Sequence, residues 1–283
     1  VAPFKASSQS HERTRGDKEK RDVERITSPD GVAIAYTRSG KGPPLVLAHG
    51  TAEDQARWIP ILRPLAEHFT VYALDRRGRN ESGDANSYTL QDEASDILAI
   101  INSLDAPAHL LGHSYGALCL MEAALRTDHL GKLILYEPPF PLGKDFYPPG
   151  SIEGLEALLA QGDRTGVITT FLRDFLHLSP LELELVSYLP IWPGRVAAAH
   201  TIPRELRQIQ GYRFQPERFR ALKAPTLLLL GGDSPYYMKD AVEALHSTLP
   251  NSQIVTMSGQ QHNAISLAPD LFAREILRFL TEG

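Results

Sequence analysis

Short apolar runs alternate along the chain with stretches in which apolar residues recur every three or four positions. The runs are Leu45–Ala48, Thr70–Leu74, Ala108–Leu111, Leu133–Tyr136, Thr226–Leu230 and Gln253–Met257. The helical periods fall near Gln55–His68, Leu90–Leu104, Ala117–Arg126, Lys239–Leu249 and Pro269–Leu280. Strands that are apolar on both faces need cover on both, so the alternation predicts an α/β protein whose mostly parallel sheet lies between two layers of helices. Ahead of it, Val23–Ile26 and Val32–Tyr36 alternate around the turn residues Pro29-Asp30-Gly31, which predicts a β-hairpin.

The rhythm breaks twice. Residues 6–22 are almost wholly polar and have no period, so residues 1–22 are expected to form a polar tail that cannot bury enough surface to order itself. After Leu133–Tyr136 the sequence Glu137-Pro138-Pro139 cannot continue a central strand. From there to Leu222 only helical stretches follow, near Ile152–Leu159, Val167–Leu176, Leu181–Leu189 and Arg195–Gln210, punctuated by Pro180, Pro190, Pro193 and Pro203. The expected organisation is therefore a core made of residues 23–139 and 223–283, with residues 140–222 inserted as a helical cap.

Composition removes several function classes. The chain has 283 residues, enough for one large core, and a net charge of −5 leaves no electrostatic footprint for nucleic acid. No apolar run has membrane-spanning length and no signal-peptide core is visible, so a cytoplasmic protein without membrane partners is expected. Oligomeric state is not legible. The single cysteine, Cys119, reads as a small packed residue and cannot form an internal disulfide. P-loop and dinucleotide patterns are absent, and the His109/His113 pair has i, i+4 spacing on a strand, so neither metal nor cofactor is predicted.

The chemistry concentrates at Gly112-His113-Ser114-Tyr115-Gly116, a G-x-S-x-G placed between an apolar strand and a helix. A serine on so sharp a strand-to-helix turn needs glycine on both sides, because a Cβ there would meet the neighbouring strand and helix. A serine hydroxyl also needs a base. Of the ten histidines, His262 alone occupies a loop after the last strand, in Ser258-Gly259-Gln260-Gln261-His262-Asn263. His109 and His113 read as packed residues, and Trp58 as core or pocket wall.

From Val23 to Gly283 the chain resembles the α/β-hydrolase fold family. His49-Gly50-Thr51 is similar to the family's His-Gly oxyanion loop, Asp75-Arg76-Arg77-Gly78-Arg79-Asn80-Glu81-Ser82 to its D-x-R-G-x-G-x-S loop, and the Ser114 elbow to its nucleophile turn. His262, seven residues before Pro269, stands where the family's histidine commonly does. Asn80 replaces the loop's second glycine, and asparagine tolerates positive φ best after glycine.

The resemblance implies a Ser–acid–His triad and leaves the acid open. After Thr226–Leu230 the family's usual acid position holds Ser234, and Asp233 is one residue early. Some relatives take the acid from the end of the strand after the elbow helix, where Glu137 stands, a charge with little structural reason to be there unless a histidine N–H meets it. Glu137 is preferred and Asp233 is the alternative. The resemblance further implies that the backbone N–H groups of Thr51 and Tyr115 form an oxyanion hole. The expected activity is hydrolysis of a small-molecule ester, lactone or thioester through an acyl-enzyme. The alternatives are C–C bond hydrolysis or perhydrolysis on the same triad, or a homologue that binds ligand without turnover.

Overall fold

Eight strands form one sheet. In chain order they are β1 (Val23–Thr27), β2 (Ala33–Ser39), β3 (Pro44–Ala48), β4 (Thr70–Leu74), β5 (Ala108–His113), β6 (Leu130–Tyr136), β7 (Thr226–Gly231) and β8 (Ser252–Met257), and their spatial order is β1-β2-β4-β3-β5-β6-β7-β8. The hairpin strand β2 runs antiparallel to β1 and to β4; all other neighbours are parallel. The central strands β3 and β7 are buried along their whole length, which is why they read as unbroken apolar runs. These features belong to a computed structural model that describes residues 22–143 and 147–282. The expected polar tail therefore lies outside the described residues, apart from Asp22.

Two apolar layers sandwich the sheet. On one face, α1 (Ile59–Ala66) and α12 (Pro269–Thr281) bury Ile61, Leu65, Phe272 and Ile276 against Leu45, Leu47 and Leu227. Trp58, in the short 3₁₀ turn Gln55–Trp58 before α1, is wholly buried in this layer and is therefore core. On the other face, α2 (Leu90–Asn102) and α3 (Tyr115–Ala124) pack on each other, and α3 packs on β5. Helix α2 begins with a capping box: Asp92 N–H donates to Thr89 Oγ1 at 3.2 Å, and Thr89 N–H donates to Asp92 Oδ2 at 2.8 Å. Helix α3 is buried at every position, so its apolar residues run all round rather than along one stripe, and Cys119 is one of them.

Between β6 and β7 the described residues contain no strand. They form α4 (Ser151–Ala160), α5 (Arg164–Thr170), a single π turn (Phe171–Phe175), α6 (Pro180–Ser187), α7 (Trp192–Ala197), α8 (Thr201–Gly211) and α9 (Pro216–Phe219). After β7 come α10 (Tyr236–His246) and the short α11 (Ala264–Leu267). The run expected as one helix over Arg195–Gln210 is split into α7 and α8. Pro203 explains the break: its ring would collide with the carbonyl four residues back, at Ala199, so the helix must restart, and Thr201 Oγ1 donates to the Ala198 carbonyl at 2.7 Å at the new start. None of the helices among the described residues is long and apolar enough to cross a membrane.

Candidate active site

The elbow is built by exclusion. A Cβ on Gly112 would lie 2.5 Å from Ala117 Cα, and one on Gly116 would lie 2.2 Å from the Ala48 carbonyl oxygen. Both contacts are with backbone that cannot move aside, so β3, β5 and α3 approach this closely only because both positions are glycine. Ser114 between them has φ +53° and ψ −126°, a conformation outside the ordinary regions for an L-residue. It is held there by backbone: Ser114 N–H donates to the Tyr136 carbonyl at 2.9 Å, and its own carbonyl accepts from Ala117 N–H at 2.8 Å. Its side chain is only partly exposed and makes no hydrogen bond among the described residues.

His262 meets Glu137. The distance from His262 Nδ1 to Glu137 Oε2 is 2.5 Å, and the other oxygen, Oε1, accepts from Gly231 N–H at 2.7 Å. Glu137 is wholly buried and takes φ +47°, so the chain bends sharply to aim a carboxylate from the end of β6 at the loop after β8. Burial pushes its carboxyl up, but His262 and Gly231, with Ser234 Oγ nearby though outside good hydrogen-bond geometry, outweigh it and leave the group below its ordinary value. Asp233 is exposed and makes no side-chain hydrogen bond or ion pair among the described residues.

A group whose folded-state pKa is depressed contributes stability that is present above its ordinary range and lost as pH falls through the folded value. Acid unfolding of the wild-type protein below about pH 4 is therefore expected to steepen through Glu137. In Glu137→Gln that part of the pH dependence should vanish, measured as unfolding free energy in urea against pH. Identical slopes in the two proteins would contradict the pairing.

Three residues around His262 carry no motif signal. The Tyr136 hydroxyl donates to the Gln261 carbonyl and accepts from Ala264 N–H at 3.2 Å, so it grips the chain on both sides of His262. His113, read from sequence as packed, is buried between the Tyr136 ring (5.1 Å between centroids) and the His262 ring (4.6 Å). Its Nε2 lies 3.0 Å from the His262 carbonyl and its Nδ1 3.1 Å from Glu53 Oε2. Burial lowers the His113 pKa to about 4, so the neutral ring has one N–H to share between these two acceptors and adds no charge beside His262. Burial raises the Glu53 carboxyl, but Arg57 and His113 outweigh it, and Glu53 is held well below the ordinary range. Only the periodicity of β6, which places Tyr136 beside the strand end, could have hinted at these roles.

The His49-Gly50-Thr51 loop sits against Ser114: a Cβ on Gly50 would lie 3.1 Å from Ser114 Cβ. Neither Thr51 N–H nor Tyr115 N–H, the latter in the first turn of α3, donates to a protein acceptor among the described residues. Asn80 takes φ +42° and its Nδ2 donates to Asp75 Oδ1 at 3.2 Å, so asparagine does stand in for the second glycine of that loop. A cavity of about 200 Å³ lies between Glu53 and Asp54 on one side and Ile191 and Arg195 on the other; Ser114, Thr51, Tyr115 and His262 are not in its lining, and its link to the Gly50 loop is Glu53, whose Oε2 accepts Gly50 N–H at 3.0 Å. His109 has a purely structural place, its Nδ1 accepting from Lys132 N–H at 2.9 Å.

The model of the Alpha/beta hydrolase family matches residues 45–275, and the chain belongs to that family. It is 24% identical over 279 residues to a 2-(acetamidomethylene)succinate hydrolase of Mesorhizobium japonicum, covering 92% of this chain and 93% of that protein. It is 25% identical to a 2-hydroxy-6-oxo-6-(2'-aminophenyl)hexa-2,4-dienoic acid hydrolase of Metapseudomonas resinovorans, covering 92% and 91%. The crystal structure of an alpha/beta hydrolase from Sphaerobacter thermophilus superposes with a TM-score of 0.81 at 35% identity, covering 91% of this chain and all of that one. All three are named as hydrolases, and the protein is a hydrolase of this fold.

Proposed function

We propose that the protein is a serine hydrolase that cleaves a small ester, lactone or thioester through an acyl-enzyme. The contact that carries this reading is His262 Nδ1 to Glu137 Oε2 at 2.5 Å. With Nδ1–H donated to the carboxylate, the imidazole presents its Nε2 lone pair, the tautomer a general base requires. Ser114 Oγ gives its proton to Nε2 as it attacks the acyl carbon, a contact that closes when substrate fills the site. The charge that develops on the carbonyl oxygen is met by Thr51 N–H and Tyr115 N–H, helped by the N-terminus of α3. His262 then protonates the leaving group, and a water, deprotonated by the same nitrogen, releases the acid.

In this reading residues 140–222 act as a cap on a core of residues 23–139 and 223–283. Support comes from Ile191 and Arg195 of the segment between β6 and β7, which wall a cavity together with Glu53, the acceptor of Gly50 N–H, and from Glu205 of α8, which pairs with Arg76 and Arg79 of the core. The likeness to a hydrolase of a 6-oxo-hexa-2,4-dienoic acid favours C–C bond hydrolysis on the same residues as the second reading.

A fluorophosphonate probe followed by peptide mapping tests the mechanism. Covalent labelling at Ser114 is expected, and labelling elsewhere or none would remove the activated serine. A panel of p-nitrophenyl esters of graded acyl length, lactones and a 6-oxo-dienoic acid then separates the two readings, since a preference for the dienoic acid over every ester would favour the second.

A further inference from the structure

Beneath the elbow two guanidinium groups and two carboxylates are shut away from solvent. Arg76 Nη1 lies 2.9 Å from Glu93 Oε1, Arg76 Nη2 lies 3.0 Å from Glu205 Oε1, and Arg79 Nη2 pairs with the same Glu205 oxygen. All four side chains are 0% exposed, so two cations and two anions balance inside the protein. Glu93 is on α2 and Glu205 on α8, so the cluster joins the core to the segment between β6 and β7. The Tyr88 hydroxyl donates to Glu93 Oε1 at 2.9 Å, and the Arg76 guanidinium lies 4.9 Å over the ring of Tyr115.

Arg76 also reaches the oxyanion loop. Its Nη2 donates to the Gly50 carbonyl at 3.1 Å, and the same oxygen accepts from His49 Nδ1 at 2.9 Å. The His49 ring is fixed in that tautomer because its Nε2 accepts Arg76 backbone N–H at 3.2 Å, and burial beside Arg76 and Arg79 holds its pKa well below the ordinary value. No peptide bond among the described residues is cis. In a trans peptide the C=O and N–H point to opposite sides, so drawing the Gly50 carbonyl onto Arg76 turns Thr51 N–H away from it, where it has no protein acceptor among the described residues.

We infer that Arg76 is a positioning residue that holds the Gly50–Thr51 peptide with its N–H toward the reacting carbonyl, and that Glu205 of α8 sets Arg76. Seating of the inserted helices and orientation of an oxyanion donor are then one ionic cluster. This rests on the serine-hydrolase reading above.

The double variant Arg76→Met/Glu93→Met removes one cation and one anion and leaves the Arg79–Glu205 pair across the same boundary. With p-nitrophenyl acetate, kcat is expected to fall roughly 10–100-fold while KM stays within about twofold, since losing an oxyanion donor outright costs about 10²–10³ and a misdirected one costs less. Inhibition by a trifluoromethyl ketone, which forms a hemiketal oxyanion on the serine, is expected to weaken by a similar factor. A merely structural role would change melting and leave that ratio alone. Arg76→Lys keeps the charges balanced, but one ammonium cannot serve Glu93, Glu205 and the Gly50 carbonyl as a planar fork does. It is expected to fold and to show the same fall in kcat and in ketone affinity, and it decides the matter if the double variant fails to fold. Folded variants with kcat and ketone affinity within about twofold of wild type would overturn the inference. Wild-type protein that neither turns over esters nor labels at Ser114 would instead overturn the serine-hydrolase reading itself.

Discussion

Ser114→Ala is expected to lower ester turnover by roughly 10⁴–10⁶ while the melting temperature stays close to that of the wild type, because the nucleophile and its base act as a unit. The fold should tolerate the change. Alanine keeps the Cβ, and the backbone bonds that hold φ +53° come from Ser114 N–H and carbonyl, not from the hydroxyl. What activity remains would come from the oxyanion donors and from binding. The measurement is single-turnover hydrolysis of an activated ester, with circular dichroism and thermal melting as the control for folding. A variant retaining a tenth or more of wild-type turnover would mean that water or another side chain attacks the substrate.

The elbow was legible because its demand is steric and local. Gly112 and Gly116 must lack a Cβ whatever the substrate is, and contacts of 2.5 and 2.2 Å to backbone atoms give that demand a physical size. The sheet was legible for a related reason: β3, β5 and β7 are buried on both faces, so their apolar runs stand out against the amphipathic helices that cover them. Helix ends were less so. The α7–α8 break turns on one proline ring meeting one carbonyl, a contact that a periodicity count averages away.

The surroundings of the histidine were not legible, for a different reason. Tyr136 and His113 act on the His262 loop across 125 and 149 positions of chain, and Glu53 acts on His113 across 60, through single hydrogen bonds that leave no pattern in sequence. Arg76 is a sharper case. In D-x-R-G-x-G-x-S it occupies a variable position, so the motif gave no reason to single it out, yet it is wholly buried and touches two carboxylates and the Gly50 carbonyl. Long-range electrostatic partners of this kind follow from the three-dimensional approach of β4, α2 and α8, which local propensity does not encode.

Glu137→Gln is expected to be far more damaging than Asp233→Asn, by up to about 10⁴ in kcat, because an amide in place of the carboxylate favours the wrong histidine tautomer and cannot stabilise the imidazolium. The geometry explains why the acid can come from β6. Strands β6 and β7 are parallel neighbours, with Tyr136 paired to Leu229, so their C-terminal ends lie side by side facing the same loop. At the end of β7 the usual acid position holds the buried Ser234, whose Oγ would lie 2.6 Å from a Cβ on Gly231. A small hydroxyl there leaves room for the Glu137 carboxylate, which accepts Gly231 N–H across the gap at 2.7 Å. Asp233 faces solvent and has no part in this arrangement, so Asp233→Asn should keep kcat within about twofold. The two variants are best compared by kcat/KM across pH, with melting temperatures to separate lost catalysis from lost stability. Equal losses in both, or a greater loss in Asp233→Asn, would move the acid to the end of β7 and leave the buried charge of Glu137 as a purely structural partner of the His262 loop.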